Sequence, residues 1–144
     1  MANPERLKIL EQGVEAWNKW RDDDENYFVV PDLSGADLDD ADLKRVIFSH
    51  CNLNGARLSN AYLESADLFG ANLNHANLIA ANLVGAYLVS ANFDQAYLNL
   101  AHLSDADLRA ASFVNADFTA ADLFSTTFFF TNLKGADLRL CSQH

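Results

Sequence analysis

Large apolar residues recur at every fifth position from Leu33 to Leu138 without a gap, and all twenty-two of these centres are Leu or Phe. Phe28 extends the register one step back, inside a degenerate first copy. Two residues before each centre stands a small residue, Ala in most copies, with Pro31, Val46, Cys51, Thr126 and Thr131 as exceptions. The best copies read Ala66-Asp67-Leu68-Phe69-Gly70 and Ala71-Asn72-Leu73-Asn74-His75. A period of five suits neither regular element. On a helix each step of five turns the centre by about 140°, spreading the apolar residues all round. On a flat strand an odd period sends alternate centres to opposite faces. The chain must therefore turn once per copy. Gly35, Gly55, Gly70, Gly85 and Gly135 share the slot two residues after the centre with Asn60, Asn115, Asp40 and Asp105. All of these tolerate the positive φ that a type II corner requires. Each copy is predicted to be a short extended segment plus a corner, with every centre pointing inward.

The first twenty-five residues follow a different period. Asn3-Pro4-Glu5-Arg6 is a helix start, since Asn caps, Pro fits the first turn and Glu complements the positive end. Leu7, Leu10, Val14, Trp17 and Trp20 then recur at spacings of three and four, which predicts one amphipathic helix. The acidic run Asp22 to Glu25 ends it, being unfavourable at a helix C-terminus. A repeat array needs its end covered, so this helix is read as a cap, with Trp17 and Trp20 over the open core. The expected division is 1–25 capping helix, 26–140 repeat array and 141–144 a short C-terminal tail.

Composition narrows the function classes. The chain has 144 residues, 50% of them hydrophobic, and a formal net charge of −10. That charge argues against nucleic-acid backbone or anionic membrane as direct partners. No run of eighteen apolar residues and no basic-then-apolar leader occurs, so the expected location is the cytoplasm. Cys51 and Cys141 have no metal-ligand spacing and fall in the small-residue slot, which predicts buried thiols. His50, His75, His102 and His144 belong to no motif, and no phosphate loop, nucleophile elbow or HExxH is present. The aspartates before the centres recur with the repeat and need no acid–base chemistry to explain them. The expectation is a protein that is not an enzyme and uses no cofactor or metal.

The A(D/N)LXX pattern from Pro31 to Leu138 resembles the pentapeptide-repeat family, and the leading helix before Pro31-Asp32-Leu33-Ser34-Gly35 resembles its cyanobacterial members. The resemblance implies an all-β fold, a right-handed quadrilateral parallel β-helix of about 5–6 coils, four copies and twenty residues per coil. The sequence departs from this motif mainly in the Val46-Ile47-Phe48 copy and around Thr126 to Phe130, where side-chain bulk differs and local geometry is the least determined. Copies twenty apart then share a side. One side carries Asp32, Asn52, Asn72, Asn92, Ser112 and Asn132, an amide column expected to hydrogen-bond from coil to coil. Another carries Ile47, Phe69, Tyr87, Val89, Phe129 and Phe130, with Val84 and Phe124 near the same corner. Exposed apolar clusters mark interaction sites, so Phe69, Tyr87, Val89, Phe124, Phe129 and Phe130 are the candidate protein-interaction surface. Only Arg139 to His144 follow the last centre, too few for a capping helix, which predicts a homodimer through the C-terminal coils.

Two functions follow. The first is a rigid scaffold for an unidentified protein partner. The second, drawn from family members that protect DNA gyrase, is an acidic DNA mimic directed at a type II topoisomerase. Charge weighs against the mimic. A rod of about 26 Å would need roughly fifteen negative charges to match duplex DNA. Residues 31–144 carry thirteen acids and six bases, and none of either lies between Leu68 and Phe93.

Overall fold

In the computed structural model, which describes residues 1–142, the five-residue register becomes a stack of four-sided coils. Parallel bridges join each residue before a centre to the one twenty positions on, from Asp32↔Asn52 to Asp122↔Ser142. Each side of a coil contributes a single bridging residue and not a full strand, because a corner follows only three residues later. Three backbone bonds per copy tie one coil to the next. At the first centre these are Leu33 N–H to Asn52 O (2.8 Å), Asn52 N–H to Pro31 O (2.9 Å) and Gly35 N–H to Asn54 O (2.9 Å).

The corners have the predicted form. Ala36 N–H closes on Leu33 O at 3.0 Å, and the same bond recurs down the chain. Every residue two after a centre, from Gly35 to Leu140, has φ between 55° and 72°. Positive φ at the third residue of such a turn marks type II. Most of these residues are not glycine, and they include Leu100, Phe130 and Leu140. An L-residue pays about 1–2 kcal/mol there, so the neighbouring coils must hold the corner. The Asp or Asn before the centre helps: its side chain accepts the first N–H of its own corner, as Asp67 does from Phe69 (3.0 Å) and Asn92 from Asp94 (2.8 Å). The amide column thus locks corners locally. Within it, Asn52 Nδ2 to Asp32 Oδ1 (3.2 Å) is a bond that crosses coils.

Inside, the centres from Leu33 to Leu123 and most of the small residues between them are buried, forming one continuous core. Phe93 and Phe113 stack at 4.8 Å, and Phe118 joins them at 4.9 Å. The small slot is buried, filled by Ala in most copies and by Val46 and Cys51 in two. In the last coil, where exposure rises, Thr131 Oγ1 and Cys141 Sγ use that slot to donate to Leu108 O and Phe118 O.

Several expectations are corrected. The N-terminal region is two helices, α1 (Pro4–Glu11) and α2 (Val14–Arg21), broken at Gly13, whose φ of 107° and ψ of 167° are accessible essentially to glycine alone. Asn3 caps α1 as expected. The acidic run leads from the end of α2 into a 3₁₀ turn, Asp24–Asn26, and the bridged array begins at Asp32, so residues 27–31 connect the two parts. Phe28 is 90% exposed and is no centre, because the connector around it does not turn in register. Thr126 to Phe130 stay regular, with Thr127 bridged to Asp107. Cys141 and Ser142 continue the array and form no tail, and Cys141 is only half-buried. Gln143 and His144 lie outside the described residues.

Candidate protein-interaction surface

The helices sit on the first coil by satisfying backbone groups that have no earlier coil to bond. Asn18 does the work of a missing neighbour: its Oδ1 accepts Ile47 N–H and its Nδ2 donates to Arg45 O, both at 2.9 Å. Trp17 is fully buried, donates Nε1–H to Ile47 O at 2.7 Å and meets Phe48 edge-on at 5.6 Å. Leu10 is buried as well, while Leu7, Val14 and Trp20 are partly buried against the core. Arg6 lies 4.6 Å over the Trp20 ring. Ile9, absent from the predicted stripe, also packs here beside Leu7 and Leu10.

Arg21 then pins the connector. Its two terminal nitrogens donate to Val29 O (3.2 Å) and to Ser49 O (2.9 Å) on the first coil. Asn26 Nδ2 bonds back to Trp20 O at 3.0 Å. Between this connector and the fourth side of the rod, the side of centres Phe48, Leu68, Leu88, Leu108 and Phe128, lies a hollow of about 830 Å³. Tyr27, Phe28, His50, Phe69 and Tyr87 line it. Phe69 stacks on Tyr87 at 6.0 Å, and His50 meets Phe69 edge-on at 5.2 Å. The His50 ring lies directly over Gly70, where a Cβ would come within 2.7 Å of Nδ1.

The predicted surface is therefore not one patch. Asp107 and Arg109, ion-paired at 2.6 Å, occupy the fourth side between Val89 and Phe129. Phe69 and Tyr87 belong with the hollow beside the cap, whereas Val89, on the same side, is not part of its lining. Phe129 and Phe130, 71% and 94% exposed, lie at the far end around a second hollow of about 480 Å³ with Thr126, Thr127 and Phe128. Phe124 is exposed on the neighbouring side. Past Phe130 the edge N–H groups of Leu133, Gly135 and Leu138 find no partner among the described residues. The sequence reasoning missed the contribution of the connector, Tyr27 and Phe28, which follows only once Phe28 is seen to leave the register. It also passed over Ile79, Tyr97 and Leu100, exposed on the opposite side.

Part of the charge on the rod is tied down in ion pairs. Arg57 pairs with Asp37 (3.1 Å) and Asp39, and Arg139 with Asp137 (2.5 Å). Hydrogen bonds from Arg109 and Arg139 hold the Asp107 and Asp137 carboxyls below the usual range, and Ser104 does the same for Asp122. Burial pushes the Cys51 thiol up to about 12, so it is inert at neutral pH. Among the described residues no three His, Cys, Asp or Glu converge to hold a metal ion, and no helix is long and apolar enough to cross a membrane.

Comparison with known proteins fits this geometry. Of solved structures, the pentapeptide-repeat protein Rfr23 from the cyanobacterium Cyanothece 51142 is similar at 22% identity and a TM-score of 0.63, over 88% of this chain and 93% of that one. This likeness shows the fold, a right-handed β-helical solenoid. HetL of Nostoc sp. strain PCC 7120, a pentapeptide-repeat protein involved in heterocyst differentiation regulation, matches at 25% identity, TM-score 0.40, over 80% of this chain and 73% of that one. QnrB1, a plasmid-mediated fluoroquinolone resistance protein, matches at 19% identity, TM-score 0.39, over 78% and 77%. A search of curated proteins finds no match. The family model for pentapeptide repeats (8 copies) matches residues 32–65, 66–105 and 101–139, well over half of the sequence. The chain belongs to the pentapeptide-repeat family.

Proposed function

We propose that this protein is a non-enzymatic scaffold that presents the fourth side of its rod to a protein partner. The observation that carries this reading is the position of the large aromatic residues: Phe69, Tyr87, Phe129 and Phe130 all occupy outward or corner slots of that side. These slots are free to vary, since the centres and small residues alone fill the core. Exposed clusters of this kind are interaction surfaces, and aromatic anchors dominate binding energy when a partner covers them.

The far patch pairs two copies of the chain in this reading. Phe129 and Phe130, both exposed, flank the second hollow, and a second molecule seated there would bury both at once. Light scattering at micromolar protein should give a dimer, and Phe129→Ser with Phe130→Ser should return it to monomer with the melting temperature nearly unchanged. A strict monomer in the parent protein removes the pairing. Capture from a host lysate with and without the aromatic substitutions tests the wider scaffold reading, which falls if no captured protein depends on either patch.

The DNA-mimic reading has weaker support. Arg57, Arg109 and Arg139 neutralise acids on the rod itself, and the stretch from Leu68 to Phe93 carries none. Absence of inhibition in a gyrase supercoiling assay at about tens of micromolar protein, where a mimic of micromolar affinity would act, would eliminate it.

A further inference from the structure

We propose that the hollow between the connector and the fourth side is a docking groove for a basic, amphipathic protein segment, one rich in Lys or Arg with interspersed apolar residues. The inference rests on the scaffold reading and names the partner's chemistry. Two independent features of the groove converge on it. The walls are aromatic, with Tyr27 and Phe28 meeting edge-on at 5.0 Å on the connector side and Phe69 stacked on Tyr87 on the coil side. Tyr27 is 74% and Phe28 90% exposed, so the connector holds two large rings in water at the lip of a hollow.

The second feature is charge. Asp22, Asp23, Asp24 and Asp67 line the same hollow, against one guanidinium, that of Arg21. Arg21 gives its terminal nitrogens to backbone carbonyls, and none of the four carboxylates has a salt-bridge partner among the described residues. Elsewhere on the rod Asp37, Asp39, Asp107 and Asp137 are paired with arginines of the same chain, and acids without such a partner among the described residues, such as Asp40, Asp42, Asp94 and Asp105, line neither hollow. Here the negative charge is left uncompensated beside apolar surface. A cationic side chain complements both, since its ammonium or guanidinium meets carboxylates while the aromatic faces attract it through cation–π contact. An anionic partner, whether nucleic acid or lipid headgroup, would be repelled.

The groove is also pre-formed. Arg21 and Asn26 fix the connector from both ends, and the coil side is held by the ladder, so docking orders little of this chain. At about 830 Å³ the hollow takes several side chains.

The test uses fluorescence anisotropy with three labelled synthetic peptides of equal length: one alternating Lys and Leu at helical spacing, one with Glu in place of Lys, and one with Ser in place of Leu. The Lys/Leu peptide should bind at least about tenfold more tightly than either control, and weaken by about tenfold or more between about 50 and 500 mM NaCl. Phe28→Ser with Tyr87→Ser, and separately Asp22→Asn with Asp24→Asn, should each weaken it by about tenfold. These are surface changes, and an unchanged melting curve certifies each variant as folded. Phe129→Ser with Phe130→Ser should leave peptide affinity as it was. Equal binding of all three peptides, or affinity indifferent to the groove variants, overturns the proposal. If the groove variants are indifferent while the Phe129/Phe130 variant loses dimerisation or partner capture, the groove assignment fails and the scaffold reading stands. Loss of neither defeats both.

Discussion

Trp17 carries the attachment of the N-terminal helices to the coils, and its truncation measures how strongly the two are coupled. The indole is fully buried, donates to Ile47 O at 2.7 Å and packs against Phe48 and Trp20 at 5.6 and 5.1 Å. Trp17→Phe keeps a ring and removes the donor. The lost bond with its orphaned acceptor should cost about 1–3 kcal/mol. Trp17→Ala also empties the space over the first coil, which raises the loss to about 3–5 kcal/mol. Asn18→Ala is the polar counterpart: it deletes two bonds to the open edge and should cost about 1–3 kcal/mol. Urea denaturation followed by far-ultraviolet circular dichroism reads the coils and helices together, and Trp20 remains as the fluorophore reporting the cap. In a solenoid stabilised by nearest-neighbour contacts, both signals should move in one transition, ordered parent, Phe, Ala. The reasoning is refuted if Trp17→Ala leaves the midpoint where it was, or if the tryptophan-fluorescence transition separates from the dichroism in the parent protein. Either result would mean that the helices rest on the coils without stabilising them.

Leu83→Asp places a charge in the middle of the dry core, where Leu83 has no exposed surface; thermal melting should show the neighbouring coils lost, and an unchanged melting temperature would contradict the inward placement of the centres. Gly13→Ala should cost about 1–3 kcal/mol through backbone strain alone, because no atom lies within 4 Å of the new methyl; a stability gain, as expected for a continuous helix, would deny the break. Acid should weaken the fold in a defined window. The Asp32, Asp107, Asp117, Asp122 and Asp137 carboxyls are held low by hydrogen bonds from Ser34, Arg109, Thr119, Ser104 and Arg139. Their stabilisation is complete above the unfolded value of about 3.9 and is lost as pH falls through the lower folded values, so the melting temperature should hold from about pH 7 to 5 and drop below about pH 4.

The coils were legible because one physical demand repeats: a large residue inward, a small one at the corner, an Asp or Asn to lock the turn. Twenty-two repetitions average away local exceptions such as Thr126 or Phe130, which keep the register despite unusual side chains. The N-terminal segment has no repetition to lean on. There Leu7, Leu10, Val14 and Trp17 fit one helical stripe, and only Gly13 signals that two helices fit better. Phe28 lies five residues before Leu33 and matches the register by spacing alone; nothing in the pattern shows that the chain has yet to begin turning. The aromatic side was readable for the same reason as the core, since the period assigns each residue a side. Its division was readable by the same period, which puts Asp107 and Arg109 between Tyr87, Val89 and Phe129; their ion pair was not, because a contact between residues two apart depends on side-chain direction.

The corners offer a way to separate folding from recognition on one backbone. Gly55 and Gly70 occupy equivalent slots, with φ of 66° and 62°. Alanine at either must adopt the left-handed region, at about 1–2 kcal/mol. Around Gly55 nothing approaches within 4 Å, so Gly55→Ala should cost that strain and nothing more. At Gly70 the methyl would meet His50 Nδ1 at 2.7 Å and Cε1 at 2.8 Å, so the imidazole must swing away. That ring stands edge-on to Phe69, and both line the groove beside the connector. Gly70→Ala should therefore lower stability somewhat more than Gly55→Ala and also weaken binding of the Lys/Leu peptide, while Gly55→Ala leaves binding alone. Equal effects of the two substitutions on binding would show that the His50–Phe69 contact has no part in recognition, and that glycine at position 70 answers to the corner only.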